Sequence, residues 1–220
     1  MDRWLGKTAL VTGAATGIGE AITRALLRNG VNVVAVDIQE EKLADLHAHK
    51  SSQRNLGVLH TRHCDISNEQ DIERVFKHIE ETYDGVDIMV NNAGVSNYNR
   101  VIDRALMCSV LGHEIPAKPL SEIIGCNGWN LYPACKHATV ALTHTVRREL
   151  AAIKSPIRIT SISPGIVKTE IAKHSAELQE LLDEVPALVP NDVADALIYA
   201  LATRPEVQIT ELTIQHTGEF

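Results

Sequence analysis

Short apolar runs alternate with amphipathic helical patterns along most of this 220-residue chain. The runs are apolar throughout rather than alternately apolar and polar, which is typical of strands buried on both faces of a parallel sheet. Parallel strands must be joined by long crossovers, usually helices, so this alternation predicts successive β–α–β units. We therefore predict a doubly wound α/β fold with a parallel, Rossmann-type sheet in a single domain, residues 1–220. Its ligand is expected beyond the carboxyl ends of the strands.

The bounds of the predicted elements follow from these patterns and from residues that cap helices. Gly30 is expected to end the first helix as its C′ residue. Asn68 is expected to cap the N-terminus of the third helix. The predicted strands are Thr8–Val11, Val31–Val36, Leu56–Cys64, Val86–Val90, Ile157–Ile162 and Val207–Ile214. The predicted helices are Ile18–Asn29, Glu40–His49, Asn68–Tyr83 with Ile72, Val75, Phe76 and Ile79 on one stripe, Tyr132–Ile153, Ile171–Glu184 and Asn191–Thr203.

Composition narrows the possible partners and location. The chain has 28 acidic and 21 basic residues, a formal net charge of −7, which with the absence of a basic tract argues against nucleic acid and anionic membrane surfaces. The sequence has neither the apolar stretch of a signal peptide nor a run of membrane-spanning length, so we expect a cytoplasmic protein. The 4 cysteines lack metal-ligand spacing and are expected to be free thiols.

Two other groups of residues suggest chemistry that the sequence does not favour. His60, His63 and Cys64 lie close together, but positions 60 and 63 of a strand point to opposite faces, so we predict no metal site. Ser109 with His113 would suit a hydrolase, yet the chain has no G-x-S-x-G elbow.

The segment Thr12-Gly-Ala-Ala-Thr-Gly-Ile-Gly19 stands at the first strand-to-helix turn. Glycines allow a pyrophosphate to approach the backbone there, and the helix N-terminus offers N–H donors and a positive dipole. An ordinary glycine-rich turn is the alternative interpretation. The residues of this segment that we assign to a cofactor site are Gly13, Thr16, Gly17, Ile18 and Gly19.

Asp37 closes the second predicted strand, 18 positions after Gly19. A carboxylate at this place accepts hydrogen bonds from a ribose 2′-hydroxyl and repels a 2′-phosphate. Thr16 also offers no positive charge to a phosphate. Both residues favour NAD over NADP, unless Asp37 merely caps the following helix.

Tyr132-Pro-Ala-Cys-Lys136 brings a phenol and an ammonium to positions four residues apart, on one face of a predicted helix. The positive charge favours phenolate and lowers the tyrosine pKa, which suits a general acid/base in an alcohol–carbonyl interconversion. Taken alone, such a pair is more often an ordinary surface pair. The glycine segment and Asn91-Asn92-Ala93-Gly94 upstream favour the catalytic interpretation.

Together these motifs resemble those of the short-chain dehydrogenase/reductases. The resemblance covers nearly the whole chain and includes Asp65 and Ser163-Pro164-Gly165-Ile-Val-Lys-Thr169. The stretches that begin at Lys136 and Arg158 are similar to a branch of farnesol-dehydrogenase-like and 11-type dehydrogenase/reductase proteins. That branch acts on hydrophobic alcohols, retinoids and keto-steroids.

The resemblance implies roles for individual residues. It implies that Asp65 meets the adenine, that Tyr132 is the acid/base, and that Lys136 binds the ribose and activates Tyr132. Ser109, in a Ser-x-x-Gly context, would orient the substrate. Asp65 as a turn cap and Ser109 as an incidental strand serine remain alternatives. The remaining cofactor-lining residues would be Asn91, Ala93, Gly94, Pro164, Gly165, Val167 and Thr169.

The chain departs from the family between Gly94 and Ser109, which lie only 15 positions apart. That spacing is too short for the long helix of the family, so the helix after the fourth strand is expected to be shortened or missing. The family's catalytic asparagine and part of its usual dimer interface belong to that helix. The deletion suggests a lost exon or a gene-model fault, although a divergent enzyme is also compatible with it.

Two functions follow from these observations. The favoured one is an NAD(P)-dependent oxidoreductase that acts on a small hydrophobic secondary or allylic alcohol or carbonyl, with residues 170–184 as a substrate lid. The alternative is a truncated, catalytically weak cofactor-binding isoform. A homo-oligomer is usual for the family, but the short segment removes part of the surface that would form it.

Overall fold

Four parallel strands form the central sheet of this computed structural model, which describes residues 1–48, 57–94, 132–170 and 185–218. The strands are β1 (Thr8–Thr12), β2 (Asn32–Asp37), β3 (Leu59–His63) and β4 (Ile88–Val90), and they lie in the order β3-β2-β1-β4. β1 pairs in parallel with β2 and β4, and β2 pairs in parallel with β3. The predicted Rossmann-type parallel sheet is confirmed.

The described helices follow the predicted ones closely. They are α1 (Gly17–Arg28), α2 (Glu40–Ala48), α3 (Glu69–Tyr83), α4 (Tyr132–Ala152) and α5 (Pro190–Ala202). Two further strands, β5 (Ser161–Pro164) and β6 (Glu211–Ile214), pair with each other. The described residues form two compact units, one of residues 1–48, 57–94, 162–170 and 185–218, the other of residues 132–161.

Side chains on the central strands alternate between two apolar clusters, one on each face of the sheet. On β1, Ala9 and Val11 join the larger cluster, whereas Leu10 joins the smaller one. Helices α1, α2 and α5 contribute to the larger cluster, and α3 contributes Val75 and Ile79 to the smaller one. Helices therefore cover both faces of the sheet, and α1 also packs against α5.

Local capping sets the ends of the helices. Gly30, at φ +77°, follows α1, where the N–H groups of Gly30 and Val31 donate to the carbonyl oxygens of Leu27 and Leu26. This is the Schellman pattern, and it confirms the predicted end of the helix. Asn68 accepts a hydrogen bond from the N–H of Gln70 at 3.0 Å, as expected for the N-cap of α3.

Some predicted bounds and burial patterns are wrong. β5 overlaps the predicted strand Ile157–Ile162 only at Ser161 and Ile162, and β6 covers only the last four residues of the predicted strand Val207–Ile214. Met89 is 43% exposed, so β4 is not buried on both faces, and Phe76 on α3 is 45% exposed. Ile88 and Val90 point into the larger cluster, which leaves Met89 on the opposite face, beyond the cover of α3. The predicted helix Ile171–Glu184 lies outside the described residues.

Candidate functional site

The turn between β1 and α1 is built so tightly that it requires glycine. Gly13 has φ +64°, and a Cβ at this residue would lie 2.8 Å from Cα of Ala93, just after β4. A Cβ at Gly19 would lie 1.9 Å from the carbonyl oxygen of Gly13. Side chains essentially never make such contacts with backbone, so these glycines let the start of α1 approach the ends of β1 and β4.

Two residues that the sequence analysis did not assign hold this turn in place. The Asn92 side chain donates from Nδ2 to the carbonyl oxygens of Thr12 and Gly13, both at 3.0 Å. The Thr12 hydroxyl accepts from the N–H groups of Asn92 and Ala93, both at 3.1 Å, and donates to the carbonyl oxygen of Val90. The second asparagine of the NNAG motif therefore positions the turn. An asparagine amide just after a strand end can donate to neighbouring backbone carbonyl oxygens, and this was the sequence signal that could have indicated the role of Asn92.

Asp37 lies at the carboxyl end of β2, beside the glycine turn, and is 7% exposed. Its Oδ2 accepts the N–H of Ala15 at 3.0 Å, and its Oδ1 accepts the N–H of Gln39 at 3.0 Å. The second bond forms a local turn before α2 begins at Glu40, so the alternative role of Asp37 as a local cap is part of the structure. The first bond fixes the carboxylate to the turn that would hold a cofactor.

Asp65 follows β3 and makes a turn of its own. Its Oδ1 accepts from the N–H and the hydroxyl of Ser67, at 2.8 and 2.7 Å. These hydrogen bonds hold the pKa of the Asp65 carboxyl below its usual value. The alternative of a turn cap therefore describes part of what Asp65 does, and contact with an adenine stays a prediction.

The residues after β5 lie next to the glycine turn. A Cβ at Gly17 would lie 3.2 Å from Cγ2 of Thr169, so Thr169 reaches the N-terminus of α1. The N–H of Gly165 donates to the carbonyl oxygen of Ile214 at 2.8 Å, and Val167 forms a parallel bridge with Leu188. These contacts fix the segment from Pro164 to Thr169 in the unit that holds the glycine turn.

The start of α1 has the features of a site for a pyrophosphate. Thr16 is the N-cap residue of α1, and its side chain makes no capping hydrogen bond in the described part of the chain. The first N–H groups of a helix need acceptors from outside the helix, and a phosphate supplies them together with a favourable interaction with the dipole. The sharp turn at Gly13 and the uncapped helix N-terminus are suited to such a group.

The structure describes the catalytic candidates only in part. Tyr132 is the first residue of α4, its side chain lies outside the described residues, and Lys136 is exposed one helical turn further on. These two residues belong to the second compact unit. Ser109 lies outside the described residues, and its role stays a prediction.

The predicted site residues of the first unit therefore gather at one edge of the sheet. Gly13, Gly17 and Gly19 form the turn, with Asp37, Ala93 and Thr169 beside it. Gly94 follows Ala93, Asn91 lies two positions before it, and both are exposed. A turn of this kind between the first strand and helix of a parallel sheet defines a dinucleotide-binding protein of the Rossmann class.

Comparison with known sequences identifies the family. The family model described as short chain dehydrogenase matches residues 7–109 and 121–180. The chain belongs to the short-chain dehydrogenase family, whose members are oxidoreductases that bind nicotinamide cofactors.

Relatives match the chain over its whole length. A farnesol dehydrogenase of Aedes aegypti is 37% identical over 249 residues, an alignment that covers 100% of this chain and 99% of the relative. The dehydrogenase/reductase SDR family member 11 of Homo sapiens is 32% identical over 253 residues and is covered to 97%. Among solved structures, a serine dehydrogenase complexed with NADP⁺ superposes with a TM-score of 0.74 at 25% identity, covering 94% of this chain and 93% of that one.

The described residues show neither a metal site nor a membrane-spanning helix. No cluster of three potential metal ligands occurs among them. None of their helices is both long enough and apolar enough to cross a bilayer. Cys64, which is buried, and Cys135, which is exposed, are free thiols. Burial raises the pKa of the Cys64 thiol, and the negative charges of Asp71 and Asp65 raise it further.

Proposed function

We propose that this protein is an NAD-dependent alcohol dehydrogenase/carbonyl reductase that acts on a hydrophobic secondary or allylic alcohol or the corresponding carbonyl. The observation that carries the proposal is the pairing of the glycine turn with Asp37. The turn suits the pyrophosphate, and the buried carboxylate at the end of β2 is bonded to the turn through Ala15.

The preference for NAD depends on the charge of Asp37. A carboxylate accepts hydrogen bonds from a ribose 2′-hydroxyl and repels a 2′-phosphate. Ile38, the next residue, is 58% exposed and brings no positive charge to this edge. The solved serine dehydrogenase was complexed with NADP⁺, so family membership is compatible with either cofactor. The proposed preference for NAD therefore rests on the residues at the end of β2.

The chemistry is assigned to α4. A nicotinamide ring would accept a hydride from the alcohol or supply one to the carbonyl. Tyr132 takes the alcohol proton during oxidation and returns it during reduction. Lys136, at the position one turn along the same helix, stabilises the phenolate by its positive charge, and Ser109 orients the substrate.

The substrate class is supported by the relatives. The Aedes aegypti relative is named a farnesol dehydrogenase, and farnesol is a hydrophobic allylic alcohol. Identity of 37% over the full chain supports a similar class of substrate without naming the molecule. The assignment of Asp65, Asn91 and Gly94 to the adenine and the cofactor groove belongs to the same proposal, as does a cytoplasmic location.

A second candidate is a truncated isoform that binds cofactor but turns over slowly. The short spacing from Gly94 to Ser109 supports it, as does the length of the alignment with farnesol dehydrogenase, which spans 249 residues against the 220 of this chain. In this candidate, the surface that the family uses for dimers is also reduced.

Two measurements separate these candidates. The unmodified chain is titrated with NADH in a calorimeter, and turnover is assayed on farnesol and retinol with NAD⁺. Binding with turnover is expected for the dehydrogenase, whereas binding without turnover on either alcohol would favour the isoform. Insertion of the family's helix after Gly94 should then raise both the melting temperature and the rate. No gain in either would show that the short segment is not what limits the protein.

A further inference from the structure

A cavity of about 250 Å³ lies beside the glycine turn, between α1 and α2. Its wall includes Ala15, Thr16 and Gly17 of the turn. Three carboxylates line it, those of Glu20, Asp45 and Glu170, but only two cations, those of Arg24 and Lys42. The described lining is therefore acidic on balance.

Each cation of the cavity is engaged by a carboxylate. Arg24 donates from Nε and Nη2 to Oε1 of Glu20, at 2.9 and 2.7 Å. Lys42 forms an ion pair through Nζ with Oε2 of Glu170, a residue that follows β5 and lies 128 positions further along the chain. Neither pair is fully exposed, with side-chain exposures of 20% and 35% in the first and 36% and 41% in the second.

The cavity adjoins the place where the two nicotinamide cofactors differ. Ala15 lines the cavity and donates its N–H to Asp37, which is the proposed acceptor of the ribose 2′-hydroxyl. A phosphate on that hydroxyl would stand at the edge of the cavity. Guanidinium and ammonium groups are the side chains that bind phosphate most strongly, but a cation already paired with a carboxylate offers a phosphate little.

We infer that Glu170 and Glu20 help to determine which cofactor binds, because they hold Lys42 and Arg24 in ion pairs and so withhold both cations from a 2′-phosphate. The inference rests on the proposed cofactor site and deepens it. Part of the preference for NAD is then due to the ion pair within α1 and to the ion pair between α2 and Glu170, in addition to Asp37.

The test compares two probes that differ only in the 2′-phosphate, adenosine 2′,5′-bisphosphate and 5′-AMP. Their dissociation constants for the full chain are measured by calorimetry, and their ratio reports on the 2′-phosphate alone. Glu170→Gln should shift the ratio in favour of the bisphosphate by about fivefold, the factor that corresponds to one solvent-screened unit charge at close range. Glu20→Gln should shift it in the same direction.

A matched control removes the same charge elsewhere. Glu81 is exposed on α3, lies 3.9 Å from Lys77, and is not part of the cavity lining. Glu81→Gln should leave the ratio within about twofold of the unmodified value, because α3 packs on the opposite face of the sheet from α1 and α2, and interactions between distant exposed charges are largely screened. Melting curves of the three variants confirm that each one is folded.

The double variant Lys42→Met/Glu170→Gln identifies the cation responsible. It should lose the gain of Glu170→Gln, because the freed ammonium is then absent. The inference is wrong if Glu170→Gln moves the ratio no more than Glu81→Gln, or if the double variant keeps the gain. Failure of the unmodified chain to bind NADH at all would instead overturn the proposed function, and the inference with it.

Discussion

Helix α1 begins at the proposed cofactor-binding turn, and helix α4 carries the proposed catalytic residues. The two helices differ in how deeply their side chains are buried. Seven of the 12 residues of α1 are buried, and its N-terminus forms the glycine turn. In α4, which has 21 residues, none of the side chains from Ala134 to Ala152 is buried. Helix α1 therefore packs into the core of the sheet, whereas no described side chain of α4 belongs to either apolar cluster.

The helices also end differently. The same Schellman pattern closes both, with Gly30 in the left-handed region after α1 and Lys154, at φ +55°, after α4. Glycine adopts this conformation without steric cost, and lysine does not. Local sequence therefore favours the observed backbone at α1 more strongly than at α4.

The largest expected effect separates chemistry from cofactor binding. Tyr132→Phe removes the hydroxyl that is proposed to transfer the proton and should lower turnover by roughly 10²-fold or more. The dissociation constant of NADH should stay almost unchanged, because the proposed phosphate site lies at the N-terminus of α1. Steady-state kinetics and calorimetry on the same preparation check both expectations. A rate within a factor of two of the unmodified enzyme would mean that another group is the acid/base.

Matched leucine substitutions test the packing difference directly. Leu26 on α1 is fully buried, and Leu142 on α4 is 62% exposed. Leu26→Ala should lower the free energy of unfolding by about 2–5 kcal/mol, whereas Leu142→Ala should change it by less than about 0.5 kcal/mol. Urea denaturation of both variants measures the difference. Equal losses would show that α4 is as well covered in solution as α1.

Adjacent asparagines allow the positioning and binding roles at the strand end to be separated. Asn92→Ala removes both hydrogen bonds to the glycine turn and leaves two carbonyl oxygens without this donor, at a cost of about 1–3 kcal/mol in stability. Asn91→Ala, at an exposed site, should leave the melting temperature nearly unchanged and weaken NADH binding only. If the two variants melt alike, Asn92 does not hold the turn.

The smallest expected effect concerns the caps. Lys154→Gly should raise the free energy of unfolding of the chain by about 1 kcal/mol, because it removes a left-handed residue with a side chain. Gly30→Ala places a side chain in the same conformation and should lower stability by at least that amount. Denaturant titrations of both variants check the signs, and a destabilising Lys154→Gly would show that Lys154 makes a compensating contact.

Much of this structure could be predicted because local sequence and tertiary packing agree. Uninterrupted apolar runs gave β1, β2 and β4 close to their observed bounds, and Gly30 and Asn68 marked helix ends by their own conformational preferences. The glycines predict a cofactor turn because, at a strand-to-helix junction, they allow a pyrophosphate to approach the backbone. The predicted role of Asp37 in cofactor choice followed from its position at the end of β2.

What could not be predicted depends on partners distant in sequence. β5 pairs with β6, which begins 47 positions after β5 ends. Exposure of Met89 depends on which helices cover one face of the sheet. The roles of Thr12 and Asn92 depend on a contact between strand ends that are 80 positions apart. Nothing in the local pattern of Lys42 indicated Glu170 as its partner.

The central claim is that the turn held by β1, α1, β4 and Asp37 binds a nicotinamide cofactor and prefers NAD. Calorimetric titration of the unmodified chain with NADH and with NADPH, under identical buffer and salt, tests it most directly. We predict that NADH binds at least tenfold more tightly, a difference of about 1.4 kcal/mol, and that Asp37→Arg narrows or reverses the ratio. Equal affinities for the two cofactors in the unmodified chain, or no binding of either, would contradict the account.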